Sequence, residues 1–331
     1  MDWPRRALLA GAMLAAALAP ARTALAQPAA TPWPDRPVRL VVPNPPGGST
    51  DVLTRLLAEP LRARLGQPFV VENRPGAGGN LGVDSVAKGP ADGYTVSAAT
   101  VTQYVVNSFL YRQMPFDASQ DLVLASVTWE LANVLVVPSA HVPARTVAEF
   151  IAWAREQPGG LVFPTPGIGT TAHLLGELFG RRYGVAVTHM PFRGAAEAMP
   201  AMLRGDAHFA IDGLASYLPL VRGGQVRTLA ITSAERSPLV PETPTFKELG
   251  MPEFGLTSWG AFAFPAATPR AVVQRLSEAL QRIAEDPAMQ ARFQEAAARL
   301  RGTSIEEAMD RAARERPRWE ELVQISGARA E

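Results

Sequence analysis

Three glycine-rich junctions constrain this chain more than any other feature. They are Pro46-Gly47-Gly48-Ser49-Thr50-Asp51, Pro75-Gly76-Ala77-Gly78-Gly79-Asn80 and Pro166-Gly167-Ile168-Gly169-Thr170-Thr171. Each follows an apolar run (Val38 to Val42, Phe69 to Val71, Leu161 to Phe163) and precedes a helical pattern. A strand that hands over to a helix exposes the helix's first amides and a partial positive charge. Glycine removes the Cβ that would keep an anion away from that backbone. Several such ends facing one cleft would hold a carboxylate or phosphate without an arginine. At each junction plain turn chemistry stands as the alternative, most strongly at the third, because Gly-x-Gly is common wherever a strand meets a helix.

The alternation continues along the chain. The spacing predicts strands at Val38–Val42, Phe69–Glu72, Tyr94–Ala99, Asn133–Val137, Leu161–Phe163, Val185–Met190, His208–Ile211 and Val226–Thr232. The first helix should start near Ser49, carry Val52, Leu53, Leu56, Leu57, Leu61 and Leu65 on its apolar face, and be kinked or broken at Pro60. Three helices, Pro269–Glu285, Pro287–Leu300 and Ser304–Ile325, should close the chain. Strand–helix alternation implies an α/β fold with a parallel sheet flanked by helices, and ligands of such sheets sit beyond the C-terminal strand ends.

The first 26 residues look like an export signal. Arg5 and Arg6 precede an alanine-rich apolar run over Ala7–Ala19, and Ala24-Leu25-Ala26 offers a small-x-small cleavage site before Gln27. The run falls short of the roughly 20 residues that span a bilayer, so a cleaved signal is preferred over a retained anchor. The adjacent arginines also permit twin-arginine export, although Pro4 and Ala7 fit that signal poorly. With no cysteine anywhere, a lipid anchor, disulfides and thiol chemistry are excluded. The expected location is the periplasm. Loss of Arg5, Arg6 and Arg22 together with Asp2 takes the formal charge from +1 to −1. A near-neutral chain has no general attraction for nucleic acid or anionic lipid, so anion recognition must be local. Hydrophobic content of 47% supplies ample core without a metal or disulfide staple.

Catalytic patterns are weak. The four histidines (His141, His173, His189, His208) lack the close spacing of a zinc motif and read as surface or satisfied core residues. Ser85-x-x-Lys88 lacks the partner motifs of an acylase. Neither a metal nor an organic cofactor is expected. Thr100, Thr170 and Thr171 are candidates for hydroxyl contacts with a ligand and equally for helix caps. Asp51 either balances a helix start or touches ligand. Asp212, at a strand end, either orients a ligand group or satisfies local amides.

Taken in order, these motifs resemble the Bug-type solute-binding proteins of tripartite tricarboxylate transporters. The resemblance runs through the first two junctions (with Val71-Glu72-Asn73-Arg74 leading into the second) and Gly167 to Leu174. It continues at Pro191-Phe192-Arg193-Gly194, Leu229 to Ser233, Pro241 to Thr245, Ser258-Trp259 and Arg318-Trp319. It implies a two-lobed periplasmic binding protein of type II-like topology, with parallel-dominated sheets and two hinge crossings. Lobe 1 would comprise residues 27–130 and 256–331, lobe 2 residues 131–255, with crossings near Ser126–Asn133 and Phe254–Ser258. It also implies a small organic carboxylate gripped by Gly47, Gly48, Ser49, Gly78 and Gly79, non-enzymatic capture, and delivery to integral membrane permease subunits. Gly169, Thr170, Thr171, Thr100 and Asp212 complete the candidate site. A monomer suits such a carrier. Asn44 and Pro45 depart from the aromatic or small residues frequent there, and Met199-Pro200 from an acidic residue; neither change touches the glycines of the grip. The alternatives are a sensory binding subunit on the same fold and an exported hydrolase using Ser49, Asp51 or Asp212.

Overall fold

The computed structural model describes residues 33–192 and 194–330. The export signal and Arg193 of the Pro-Phe-Arg-Gly motif lie outside the described residues. In chain order the strands are β1 (Val38–Val42), β2 (Phe69–Asn73), β3 (Thr95–Thr100), β4 (Leu122–Leu131), β5 (Asn133–Pro138), β6 (Leu161–Thr165), β7 (Val187–Pro191), β8 (Ala210–Gly213), β9 (Val226–Ile231), β10 (Ser258–Pro265) and β11 (Ala298–Leu300). The helices are α1 (Ser49–Leu65), α2 (Asn80–Ala87), α3 (Asn107–Leu110), α4 (Ala118–Asp121), α5 (Val147–Arg155), α6 (Thr171–Tyr183), α7 (Ala195–Arg204), α8 (Leu214–Arg222), α9 (Arg270–Ala284), α10 (Pro287–Glu295) and α11 (Ile305–Ser326).

A six-stranded sheet of order β11-β4-β10-β3-β1-β2 is formed from both ends of the chain, and the middle forms a three-stranded sheet, β8-β5-β9, and a two-stranded one, β6-β7. The last two are linked at His208, whose amide donates to the Val162 carbonyl at 2.8 Å while its Nδ1 accepts from the Val162 amide at 2.8 Å. The chain passes from the large sheet to the middle one at Ala132 and returns between β9 and β10. The sheets are not parallel-dominated. Between the named strands, parallel pairing is confined to β1 with β2 and β3 and to β6 with β7. β10, returning from the middle of the chain, inserts antiparallel to both β3 and β4, and β5 is antiparallel to β8 and β9. A segment that re-enters a sheet from the opposite direction leaves no sequence signature at the site of pairing.

Both faces of the large sheet are covered. On one, Leu40, Val42, Val96, Phe262 and Phe264 meet Leu53, Leu57 and Leu61 of α1 and Leu276, Leu280 and Ile283 of α9. Each such buried side chain contributes about 1.5–3 kcal/mol. That burial lets α1 run through Pro60 without a break, since proline forfeits one backbone bond while the apolar face stays in place. On the other face, Ala99, Val127 and Ala261 meet Trp319, Leu322 and Val323 of α11. This apolar layer continues into Phe150, Leu174, Phe179 and Phe209 from the middle of the chain. The expected helix over Pro287–Leu300 stops at Glu295: Ala297 takes φ +52, and residues 298–300 become β11, an edge strand on β4. Pairing with an open sheet edge outweighs local helix propensity there.

The crossing region is clamped by charge. Glu130, at the end of β4, accepts from Arg301 at 2.9 Å and from Arg311 of α11. Glu315 of the same helix accepts from the indoles of Trp259 (2.8 Å) and Trp319 (3.1 Å). Paired arginines hold Glu130 below the usual carboxylate range despite its burial.

Candidate carboxylate-binding loops

The first glycine loop leaves the C-terminal end of β1 and the second that of β2, two parallel neighbours, so both emerge at one sheet edge. Their flanks touch: a Cβ on Gly82 of α2 would stand 2.6 Å from the Arg74 carbonyl oxygen and 2.9 Å from Pro43 Cβ. Asn73 binds them together, donating from Nδ2 to the Asn44 carbonyl and to Asp51 Oδ1, each at 3.0 Å. Asp51 is the strut of the first loop. Its carboxylate also accepts from the Gly47 amide at 2.9 Å and from Arg55 at 3.0 Å. Burial alone would raise its pKa; the hydrogen bonds from Arg55, Gly47 and Asn73 outweigh that and hold it below the ordinary aspartate value. Of its two readings, Asp51 takes the structural one.

The Gly47 amide is thus spent internally. The Gly79 amide is spent as well, on the Gly76 carbonyl at 2.9 Å. The amides of Gly48, Ser49 and Gly78 have no partner among the described residues, and all three residues are exposed. The anion-ready set of the first two loops therefore narrows from five residues to three. Gly48 caps α1, so its open amide stands at the positive end of a 17-residue helix.

Behind the second loop stand residues that the sequence pattern did not flag. Gln103 Nε2 donates to the Gly78 carbonyl at 2.8 Å, and Asn107 Nδ2 donates to Asn80 Oδ1 at 2.6 Å. They follow β3 in an irregular turn of helix over Thr102–Val106 and in α3. The available signal was two amides four residues apart inside an apolar run. Thr100 joins this brace: its amide and hydroxyl both donate to Gln103 Oε1 (3.1 and 2.9 Å), and its Oγ1 accepts from the Thr102 amide. The hydroxyl is used locally.

The third loop is brought to the second through two residues. A Cβ on Gly169 would lie 2.3 Å from Leu110 Cδ2, and one on Gly78 would lie 2.5 Å from the Tyr111 hydroxyl. This loop is tied down from within. The Gly169 amide donates to His173 Nδ1 at 3.1 Å. Thr170 caps α6, accepting from the His173 amide and donating to the Gly167 carbonyl at 2.8 Å. Thr165 Oγ1 lies 2.6 Å from His189 Nε2. The two imidazoles stack with ring centroids 3.7 Å apart, flanked by Phe163. Burial, with His189 adding to it, pushes His173 down to about 3, and burial pushes His189 down to about 4, so both stay neutral. Thr171 keeps its hydroxyl and amide without a partner among the described residues.

Asp212 lies apart from this chain of contacts, at the end of β8. One carboxyl oxygen accepts from the Gly213 amide at 2.7 Å and the other is buried without a partner among the described residues, as are Asn133 Nδ2 and the Tyr217 hydroxyl. Burial raises Asp212 to about 6. A carboxyl so placed accepts a hydrogen bond when ionised and donates one when protonated. A separate cleft of about 440 Å³, lined by Glu130, Ala132, Leu214, Thr232, Thr257 and Arg301 among others, lies at the crossing and includes none of the glycine loops.

The sequence matches the model of the tripartite tricarboxylate transporter family receptor over residues 53–327. It is 39% identical over 254 residues to protein BugT of Bordetella pertussis, covering 75% of this chain and 78% of that one. It is also 35% identical over 321 residues to a protein encoded in the tcbD-tcbE intergenic region of Pseudomonas sp. strain P51 (96% and 94% covered). Among solved structures, R. palustris Rpa4515 with adipate superposes with a TM-score of 0.81 at 35% identity, covering 89% of this chain and 98% of that one. MatC from Rhodopseudomonas palustris with bound malate superposes with a TM-score of 0.77 at 27% identity (88% and 100%). Family model, curated relatives and superposed structures agree: this chain belongs to the tripartite tricarboxylate transporter receptor family of periplasmic solute-binding proteins.

Proposed function

We propose that this protein captures a small organic carboxylate in the periplasm and delivers it to the membrane permease of a tripartite transporter. The observation that carries the reading is the trio of open amides at Gly48, Ser49 and Gly78, on two loops tied together by Asn73 and braced from behind. Fixed backbone donors cannot swing away, and hydrogen bonds to an ionised acceptor are about twice as strong as neutral ones. The grip reads the carboxylate group; the rest of the ligand is read by what surrounds it. Exposed Leu81, in the first turn of α2, and Ile168, on the third loop, offer apolar contact, and Thr171 and Asp212 offer polar contact for a far end. Adipate and malate, the ligands of two structural relatives, mark the class: an acid with a second polar terminus.

In this reading the large sheet and the middle sheets form two lobes, 27–130 with 256–331 and 131–255, that close on the ligand and exclude water from it. Residues 1–26 direct export and are removed. The family consists of receptors, and the capture scheme asks for no bond-breaking step. Isothermal titration of the purified protein with adipate, malate and a panel of mono- and aromatic carboxylates tests it. Saturable one-to-one binding of at least one acid is expected, and no binding by folded, ligand-free protein would overturn it. Capture of the ligand-loaded protein by its permease, rather than by a sensor kinase, separates transport from sensing.

A further inference from the structure

Leu110 and Tyr111 form a wedge between the second and third glycine loops. Leu110 is buried against Gly169, and Tyr111 sets its hydroxyl against Gly78. The wedge is held from both ends. The Tyr111 amide donates to the Asn107 carbonyl at 3.0 Å, at the close of α3, and the Ala330 amide donates to the Leu110 carbonyl at 3.0 Å. Tyr111 and Ala330 thereby form an isolated parallel bridge, so the C-terminal tail fixes the backbone of the wedge.

The phenol is the unusual part. The ring is half-buried, and tyrosine hydroxyls in that setting ordinarily find a partner. This one has none among the described residues. It stands instead beside Gly78, whose carbonyl is occupied by Gln103 and whose amide is open. Gly78 has φ +62, and a side chain there would collide with the phenol oxygen. The glycine thus serves two ends at once: it permits the turn and it leaves room for the hydroxyl. Burial raises the Tyr111 pKa above the ordinary tyrosine value, which keeps it a proton donor throughout neutral and mildly alkaline conditions.

We propose that Tyr111 is a ligand-contacting residue, its hydroxyl donating a hydrogen bond to the carboxylate held at the Gly78 amide. The wedge then joins the anion grip to the third loop, so the carboxylate meets a side-chain donor as well as main-chain donors. This rests on the carboxylate-capture reading, and the test separates the two. Wild-type protein and Tyr111→Phe are titrated calorimetrically with adipate and malate, and each ligand-free protein is melted. The expected result is an affinity at least about tenfold weaker in Tyr111→Phe for the acid that wild type binds, because a hydrogen bond to a charged group is lost. The melting temperature should stay unchanged, since the ring remains in place. Leu110→Ala is the companion variant. It removes apolar packing but keeps the hydroxyl, so it should lower the melting temperature while retaining more affinity than Tyr111→Phe. Equal affinities of wild type and Tyr111→Phe would overturn this inference and leave the capture reading standing. An affinity loss accompanied by an equal loss of stability would assign Tyr111 a packing role and overturn it too. Failure of wild type to bind either acid, or any other in the carboxylate panel, would overturn the capture reading and this inference with it.

Discussion

The first two glycine loops and the third share a sequence pattern and differ in what their glycines do. In the first two, struts built from side chains (Asp51 with Arg55 and Asn73; Gln103 with Asn107) grip the loops from behind and leave three amides outward. In the third, His173 and Thr170 take the donors and acceptors of the loop itself, and Gly169 is flat against Leu110. A glycine can be selected because something must approach its backbone from outside, or because something already has from inside. The pattern of residues is the same in both cases; only the fate of the N–H separates them.

The sharpest way to break this contrast is a pair of substitutions. Gly48→Val places a side chain over the open amide at a residue with φ −73, where the nearest contact of a new Cβ would be the Pro45 carbonyl oxygen at 3.6 Å. Carboxylate affinity should fall about a hundredfold, equivalent to losing a charge-assisted hydrogen bond worth up to about 3 kcal/mol, with helix content unchanged by circular dichroism. Unchanged affinity would remove the first loop from the grip. Gly169→Ala should do the opposite. At φ +73, with Leu110 2.3 Å from the new Cβ, it should cost about 1–3 kcal/mol in chemical denaturation. Adding Leu110→Ala should recover part of that loss, and no recovery would show that the close approach is not the cause.

A pH series sharpens the comparison further. His173 and His189 have folded pKa values of about 3 and about 4 against an ordinary 6.5. Between those values and 6.5 the unfolded chain binds more protons, so stability should fall as pH drops from about 6.5 toward 4. Asp212 works against this trend. Its folded pKa of about 6 lies above the ordinary 3.8, so it favours the folded state at low pH, and that contribution disappears as pH rises from 3.8 through 6. Each fully shifted group changes stability by at most about 1.4 kcal/mol per pH unit. His173→Gln should flatten the acid-side loss seen in denaturant melts between pH 4 and 6.5, and Asp212→Asn should steepen it. No change in slope with His173→Gln would mean that the stacked pair does not resist protonation.

The smallest expected effect concerns the α6 cap. Thr170→Ala should cost about 1 kcal/mol of stability and leave carboxylate affinity alone, as an N-cap does. Thr171→Ala should leave stability nearly unchanged and weaken an acid whose far end reaches that hydroxyl. The reverse pattern would exchange the two roles.

Much of this was legible before the structure. Val38–Val42, the helix from Ser49, the strand from Phe69 and the second junction fall where periodicity and glycine put them, because these are local signals. Thr102 to Leu110 was not legible as a brace and wedge: its polar residues act on carbonyls some 25 positions earlier in the chain, reached only when β3 lies beside β1. The 298–300 strand was missed for a related reason, since its partner is β4.

The sequence alone determined the family, the three strand-to-helix junctions and the balance of charge that forces anion recognition to be local, because each depends on residue type and short-range spacing. Tertiary structure alone decided which amides stay open. The Gly47, Gly79 and Gly169 amides are closed by partners within four residues, but in loop conformations braced by distant groups such as Asn73, Gln103 and Leu110, and hydrogen bonds are satisfied in space, not along the sequence.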